Sequence, residues 1–430
     1  MVSSLLIMKF TKTILANGLR VITVPMKDNP TVTVLVLVEA GSKYEEKRVS
    51  GISHFLEHMC FKGTAKRPKA IDISKGLDAL GSEYNAFTAQ EYTGYYAKSD
   101  ARHFREVADV IFDIFLNSTF PETELEKEKG VIVEEINMYR DTPTRHVQDL
   151  VMTLLYGDQA AGWNIAGDKD TVENMQRVDF LAYKGAHYLP EGMIIVVAGQ
   201  IDESEVLAEV RKSFDPIPRG HKAGKLTTVE KQSSPAVLLE YKKTDQTHLV
   251  LAARSLDLMS PKTPGLSVLS AILGGGMSSR LFQKLREEMG VGYYVRASND
   301  SYTDHGFLQV SAGVDNRRVA EVVGVILEEC KRLTIEEVPA EELHKVQEYL
   351  IGNMKLSHES SDDVAGYFGL QELLKKKIET LEEKAGEIRA VTAKDIMALA
   401  REIFQDQKLN LALVGPFESS GDFLKILKFS

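Results

Sequence analysis

Tyr188-Leu-Pro-Glu-Gly-Met-Ile-Ile-Val-Val-Ala-Gly199 and Phe404-Gln-Asp-Gln-Lys-Leu-Asn-Leu-Ala-Leu-Val-Gly415 are two versions of one pattern. In each, an apolar strand-like run ends on glycine at the same distance from the leading aromatic residue. The first is followed by Asp202 and a helical pattern ending at Lys212-Ser-Phe214, the second by Glu418 and a helical pattern ending at Lys428-Phe429. Asp179 and Asp395 precede the two segments in similar helical settings. Self-similarity between the halves of a chain marks a duplicated structural unit. The expectation is therefore an α+β protein made of two copies of one domain.

The flanking sequence agrees. Leu19–Val24 and Thr31–Val38 are rich in β-branched residues and read as strands. Helical patterns follow at 50–62, 70–80, 100–117 and 122–140; the last opens after Pro121 and stops before Asp141-Thr-Pro143. Met193–Ala198 reads as a strand and 203–214 as a helix. Residues 214–235 hold Pro, Gly, Ser and Lys without apolar period, as a linker does. Beyond it come strands near 236–254, helices near 262–289, strands near 293–313 and a mostly helical run to about residue 404. We place an N-terminal domain at 1–218, a linker at 219–235 and a C-terminal domain at 236–430.

The chain has 430 residues, 43% hydrophobic and 27% charged, enough for two ordinary cores. Its two cysteines, Cys60 and Cys330, exclude a disulfide scaffold and suit a reducing compartment, so a cytoplasmic location is expected. The N-terminal run Met1–Phe10 is too short and lacks the basic region of a signal peptide. Ordered sequence is expected from near Phe10, with Met8 a possible start. No apolar stretch is long enough to span a membrane. The formal net charge of −10 argues against nucleic acid and favours cationic partners such as basic peptides.

Chemistry concentrates at His54-Phe-Leu-Glu57-His58. On a helix these three polar residues share one face, and two histidines four apart can hold one zinc ion. The glutamate precedes the second histidine, the inverted order of inverzincins, and is placed to take a proton from a water that zinc acidifies. Composition alone gives roughly 0.03 such matches in this chain, so the string carries weight. A catalytic zinc needs a third protein ligand and an open position. His103, His146, His187, His221, His248, His305, His344 and His358 are scattered singly. The acidic helix from Glu122 to Ile136 is the better source: Glu128 and Glu135 lie two turns apart on one face, one to ligate and the other to orient a histidine. Spacing does not choose between them, nor does it exclude Glu134.

His54-Phe-Leu-Glu-His-Met-Cys-Phe-Lys-Gly-Thr64 resembles the signature of the pitrilysin/insulinase metallopeptidases, in the form of their half-length, mitochondrial-processing-peptidase-like subunits. The resemblance implies one zinc ion per chain held by His54, His58 and Glu135, with Glu128 supporting and Glu57 as general base. Gly81-Ser-Glu-Tyr-Asn85-Ala86-Phe87-Thr88 resembles the family's substrate-pairing edge strand, so Asn85, Ala86 and Phe87 would bind an extended peptide through main-chain bonds. Arg286-Glu-Glu-Met-Gly-Val-Gly-Tyr293 resembles the family's Arg-x6-Tyr element, whose two side chains steady the substrate oxygen. Gly274-Gly-Gly276 is the glycine turn before it; no Gly-Lys-Ser/Thr follows, which argues against a nucleotide site. Gly162-Trp163-Asn-Ile-Ala-Gly167 departs from the Pro and Arg common in relatives, and bears on substrate preference only.

The implied fold is α+β: two duplicated domains, each a mixed, mainly antiparallel sheet flanked by helices, together forming half of a clamshell. The implied function is a zinc metalloendopeptidase acting on peptides or unfolded segments in an enclosed chamber. It would work as a homodimer, or as a heterodimer with a related subunit, with Arg286 and Tyr293 serving the partner's metal. The competing expectation is a non-catalytic peptide-binding or scaffold subunit; such subunits lose zinc ligands or base, and this chain keeps them.

Overall fold

A computed structural model describes residues 9–429; Met8, named above as a possible start, lies outside them. The strands are β1 (Thr11–Ile14), β2 (Arg20–Pro25), β3 (Thr31–Val38), β4 (Glu83–Thr88), β5 (Thr93–Asp100), β6 (Met193–Gly199), β7 (Ala236–Tyr241), β8 (Gln246–Arg254), β9 (Gly292–Ser301), β10 (Gly306–Asp315) and β11 (Leu409–Gly415). The helices of the first half are α1 (Ile52–Cys60), α2 (Ala70–Asp78), α3 (Phe104–Asn117), α4 (Glu122–Asp141), α5 (Pro143–Tyr156), α6 (Lys169–Asn174), α7 (Arg177–His187) and α8 (Glu203–Phe214). Those of the second are α9 (Thr263–Gly274), α10 (Val319–Ile335), α11 (Ala340–Leu356), α12 (Ser361–Lys375), α13 (Leu381–Ala390), α14 (Ala393–Ile403) and α15 (Gly421–Ile426). The last stops at Ile426, short of the Lys428-Phe429 end read from the sequence, because Leu427 leaves helical backbone angles.

The first sheet runs β1-β2-β6-β3-β5-β4 and the second β7-β11-β8-β10-β9. In the first, β2 is parallel to β6 and every other pairing is antiparallel. In the second, β7 is parallel to β11 and every other pairing is antiparallel. The two sheets thus share one topology, β1 aside. The quoted segments are its equivalent strands, β6 and β11, and every residue of both is buried. Apolar runs without alternation belong to strands covered on both faces. The helices before them match as well: α7 and α14 open with capping boxes built on Asp179 and Asp395.

The covering helices explain the burial. On one face of the first sheet, α1, α3 and α7 supply Phe55, Leu56, Ile111, Phe115 and Phe180 to a core with Val34, Val36, Ile195 and Val197. On the other, α12 packs Val364, Ala365, Phe368 and Leu373 against Ile22, Leu35, Leu37, Ile194 and Val196. Burying each large side chain contributes about 1.5–3 kcal/mol. Gly369 allows the close approach: a Cβ there would lie 2.6 Å from Leu37 Cδ1 and 2.9 Å from Val196 Cγ2. In the second sheet α5 takes the equivalent role, packing Val147, Val151 and Leu155 against Val250, Ala252, Ala412 and Val414.

The compact units are accordingly interleaved in sequence. One comprises the chain up to Ile136 with Trp163–Leu226 and Lys355–Thr380; the other comprises Asn137–Gly162, Thr227–Met354 and the chain from Leu381. Each half of the sequence thus lends a helix, α5 or α12, to the unit built around the other half's sheet. Among the described residues no helix is long and apolar enough to cross a membrane. Cys60 and Cys330 are both buried and free.

Candidate metal centre

Helix α1 starts at Gly51, whose φ of +96° suits glycine. The first turn of a helix leaves backbone N–H groups without partners. Here the buried Glu45 carboxylate accepts from Gly51 N at 2.7 Å and Ser53 N at 2.8 Å. Ile52, Phe55, Leu56 and Met59 turn inward. His54, Glu57 and His58 are left on the half-buried side, as the spacing requires.

Helix α4 brings the carboxylates. It buries Leu125, Glu128, Ile132 and Ile136 along one side, and Glu135 is half-buried beside them. Glu135 Oε2 lies 3.7 Å from His54 Nε2 and 3.7 Å from His58 Nε2. One donor atom from each of the three residues falls within 4.8 Å of the others. Among the described residues, no other group of three His, Cys, Asp or Glu donors converges in this way. Glu128 is instead at the back of the second histidine: its Oε1 is 2.9 Å from His58 Nδ1 and its Oε2 is 2.6 Å from Lys62 Nζ. Glu134 is exposed on another side of α4.

This donor set fits zinc. Zinc–nitrogen bonds of about 2.0–2.1 Å and zinc–oxygen bonds of about 2.0–2.2 Å at tetrahedral angles put neighbouring ligand atoms roughly 3.4 Å apart. The two 3.7 Å separations are within a few tenths of an ångström of that. Two imidazoles and one carboxylate also leave a coordination position open, as catalytic sites require. Glu128 fixes which nitrogen of His58 faces Glu135. His54 Nδ1 is buried without a hydrogen-bond partner, so that ring's Nε2 is the atom turned toward the cluster.

The electrostatics suit a cation as well. Burial, and then the neighbouring His58, hold the His54 imidazole well below its ordinary pKa, in the neutral form that binds metal. For His58, burial works against the charged ring, but Glu128 first, then Glu57 and Glu135, outweigh it and raise the pKa. Burial raises the Glu57 carboxyl, while Thr88 and His58 oppose that rise. Burial works against the charged Glu128 too, but its bonds to His58 and Lys62 prevail and lower it.

Two residues here have no role in the sequence reading, although the quoted segments contain them. Thr88 Oγ1 donates to Glu57 Oε2 at 2.5 Å, and Lys62 neutralises Glu128. The remaining expected site residues are placed as follows. Asn85, Ala86 and Phe87 lie on β4, the terminal strand of the first sheet, with Asn85 exposed. Arg286 and Tyr293 belong to the second unit. Arg286 is exposed on a π-helical turn at Phe282–Glu288, its guanidinium over the Phe282 ring at 5.1 Å. Tyr293 is 66% exposed near the start of β9. The Trp163 loop lies in the first unit, its indole 4.9 Å from Lys47 Nζ. It backs onto α1, where a Cβ on Gly51 would come within 2.6 Å of the Ala166 carbonyl oxygen.

Comparison with known proteins defines the class. Residues 20–169 match the insulinase family, peptidase M16, and residues 174–350 match the peptidase M16 inactive domain. A protein of Bacillus subtilis named "uncharacterized zinc protease" is 37% identical over 404 residues, covering 93% of this chain and 97% of that one. One of the same description from Mycobacterium leprae is 34% identical over 411 residues, covering 95% and 92%. The chain therefore belongs to the insulinase (pitrilysin, M16) family. The crystal structure of a protease from Helicobacter pylori superposes with a TM-score of 0.88 at 23% identity, covering 95% of this chain and all of that one. A peptidase M16 inactive domain from Pseudomonas fluorescens gives 0.87 at 18% identity, covering 96% and 99%. At these identities the two structures share the fold, two α+β halves.

Proposed function

We propose that the chain is a zinc-dependent endopeptidase that cuts peptides or unfolded polypeptide segments. The observation that carries this reading is the convergence of His54, His58 and Glu135 donors beside a carboxylate, Glu57, held between the two histidines on one helix. His54, His58 and Glu135 would hold one zinc ion per chain. When bound, zinc supplies a Lewis acid that polarises a carbonyl and brings the pKa of water down to about 7. Glu57 takes the proton from the attacking water and returns it to the departing amine nitrogen. Burial favours the protonated form of its carboxyl, which helps it to take up that proton. Main-chain groups of Asn85, Ala86 and Phe87 on β4 pair with an extended substrate, so grip depends little on its sequence. Arg286 and Tyr293 steady the oxygen that gains charge, serving a second chain in a homodimer or heterodimer that encloses the substrate in the cytoplasm.

The relatives named zinc proteases support the reading. The match of residues 174–350 to an inactive domain leaves a second one open, a peptide-binding or scaffold subunit without catalysis. Cleavage of quenched peptides by zinc-loaded protein, beside Glu57→Gln, decides between them. The peptidase reading expects cleavage by the parent and a fall of about 10²–10⁴-fold in the variant at unchanged zinc content. A zinc-loaded parent that binds peptides without cutting them supports the scaffold.

A further inference from the structure

We propose that Thr88 is a positioning residue for Glu57, tying the base to the strand on which substrate docks. The inference rests on the peptidase reading above.

The geometry starts from strand alternation. Tyr84 and Ala86 pack against the core that holds Phe55, Leu56 and Met59 of α1, whereas Phe87 packs on the opposite face with Tyr92 and Tyr96. Thr88, two residues after Ala86, therefore turns its side chain to the face of α1. There its hydroxyl donates to Glu57 Oε2 at 2.5 Å. Threonine is branched at Cβ, so the direction of its hydroxyl is set by the strand backbone rather than by a flexible stem. Glutamate has more rotatable bonds, and in α1 nothing in its own backbone selects one carboxylate position.

The end of β4 is itself fixed. Thr88 pairs with Thr93 across the hairpin, Ala89 N donates to Tyr92 O at 2.8 Å, and the Thr93 hydroxyl donates to Ala40 O at 2.9 Å. β4 ends the strand order of its sheet, and its other edge has no strand partner among the described residues. A peptide added to that edge takes its register from the β4 backbone. The same backbone carries Thr88, so the scissile carbonyl and the base are both referenced to one strand. Misplacement of a reacting group by about 1 Å costs about a hundredfold in rate. A hydroxyl that holds one carboxylate oxygen while the other faces the water is a direct way to avoid it.

Thr88→Val keeps the shape and removes the donor; Thr88→Ser keeps the donor. With zinc-loaded protein and a cleavable peptide, Thr88→Val is expected to lower kcat about 10–100-fold and leave KM within about twofold, while Thr88→Ser restores kcat to within about threefold. Zinc affinity by chelator competition and peptide affinity by fluorescence anisotropy should stay within about twofold in both variants. Unchanged kcat in Thr88→Val overturns the proposal, and so does a loss confined to KM, zinc or peptide affinity, since each marks a structural role. A zinc-loaded parent that cuts nothing overturns the peptidase reading and this proposal with it, before any variant is compared.

Discussion

Replacing Glu128 by glutamine is the sharpest probe of how the metal centre is held. The side chain is 6% exposed, with one oxygen 2.9 Å from His58 Nδ1 and the other 2.6 Å from Lys62 Nζ. Glutamine keeps nearly the same volume, and its amide oxygen still accepts from the imidazole, so the ring stays in place. What disappears is the negative charge that makes His58 a better donor, and Lys62 then faces a dipole instead of an anion. A hydrogen bond to a charged group contributes about 1.5–3 kcal/mol, and part of it survives as a neutral bond. Loss of such outer partners weakens metal binding about 10–100-fold, or about 1.4–2.7 kcal/mol, which lies in the same range. Chelator competition at neutral pH measures the effect, with Glu134→Gln, an exposed change on the same helix, as control. The control is expected within about twofold of the parent. A Glu128→Gln variant that binds zinc as the parent does, or a control that weakens equally, would refute the assignment of Glu128 as the partner that orients His58.

Glu135→Gln removes an anionic donor from the centre, and its zinc affinity is expected to fall about a hundredfold or more while circular dichroism is unchanged. Phe368→Ala empties a fully buried site in α12 and should cost about 3–5 kcal/mol in denaturant unfolding; a loss under about 1 kcal/mol would deny α12 its part in the core. Burial lifts the Glu45 carboxyl from 4.5 to about 7, against the pull of its bonds from Ser53 and Gly51. A raised folded-state pKa makes its contribution to stability complete below pH 4.5 and progressively lost as pH climbs through 7. The parent should therefore lose on the order of 3 kcal/mol across that window from this group, and Glu45→Gln should flatten that part of the curve; identical slopes would refute it.

Much of this was legible in the chain, for identifiable reasons. His54, Glu57 and His58 share a face because a helix has a fixed period, so their grouping follows from spacing alone. Glu128 and Glu135 obey the same rule, and for that reason the period does not say which one meets the histidines. That depends on how far α4 slides along α1, a matter of tertiary packing. Thr88 was missed although strand alternation placed it with Tyr84 and Ala86; the missing fact was that α1 lies beneath that face. Lys62 was missed because a lysine just past a helix end is ordinarily a solvated charge. The duplication was visible in β6 and β11 because both are fully buried and tolerate little but apolar residues. The exchange of α5 and α12 was not visible, since an apolar helix face does not name the sheet it covers.

That exchange sets a timetable for synthesis. The strands that α12 covers are complete when Gly199 has been made, but the ribosome reaches Lys375 only about 180 residues later. At about 5–20 residues/s, Leu35, Leu37, Ile194 and Val196 wait roughly 9–35 s without their cover. Helix α5 faces the opposite difficulty, emerging well before β7 and β8 exist to receive it. A nascent chain halted at Leu226 would carry an uncovered sheet and an unpartnered apolar helix together. Until α12 and the second sheet have been made, those two apolar surfaces are where the nascent chain is most open to aggregation.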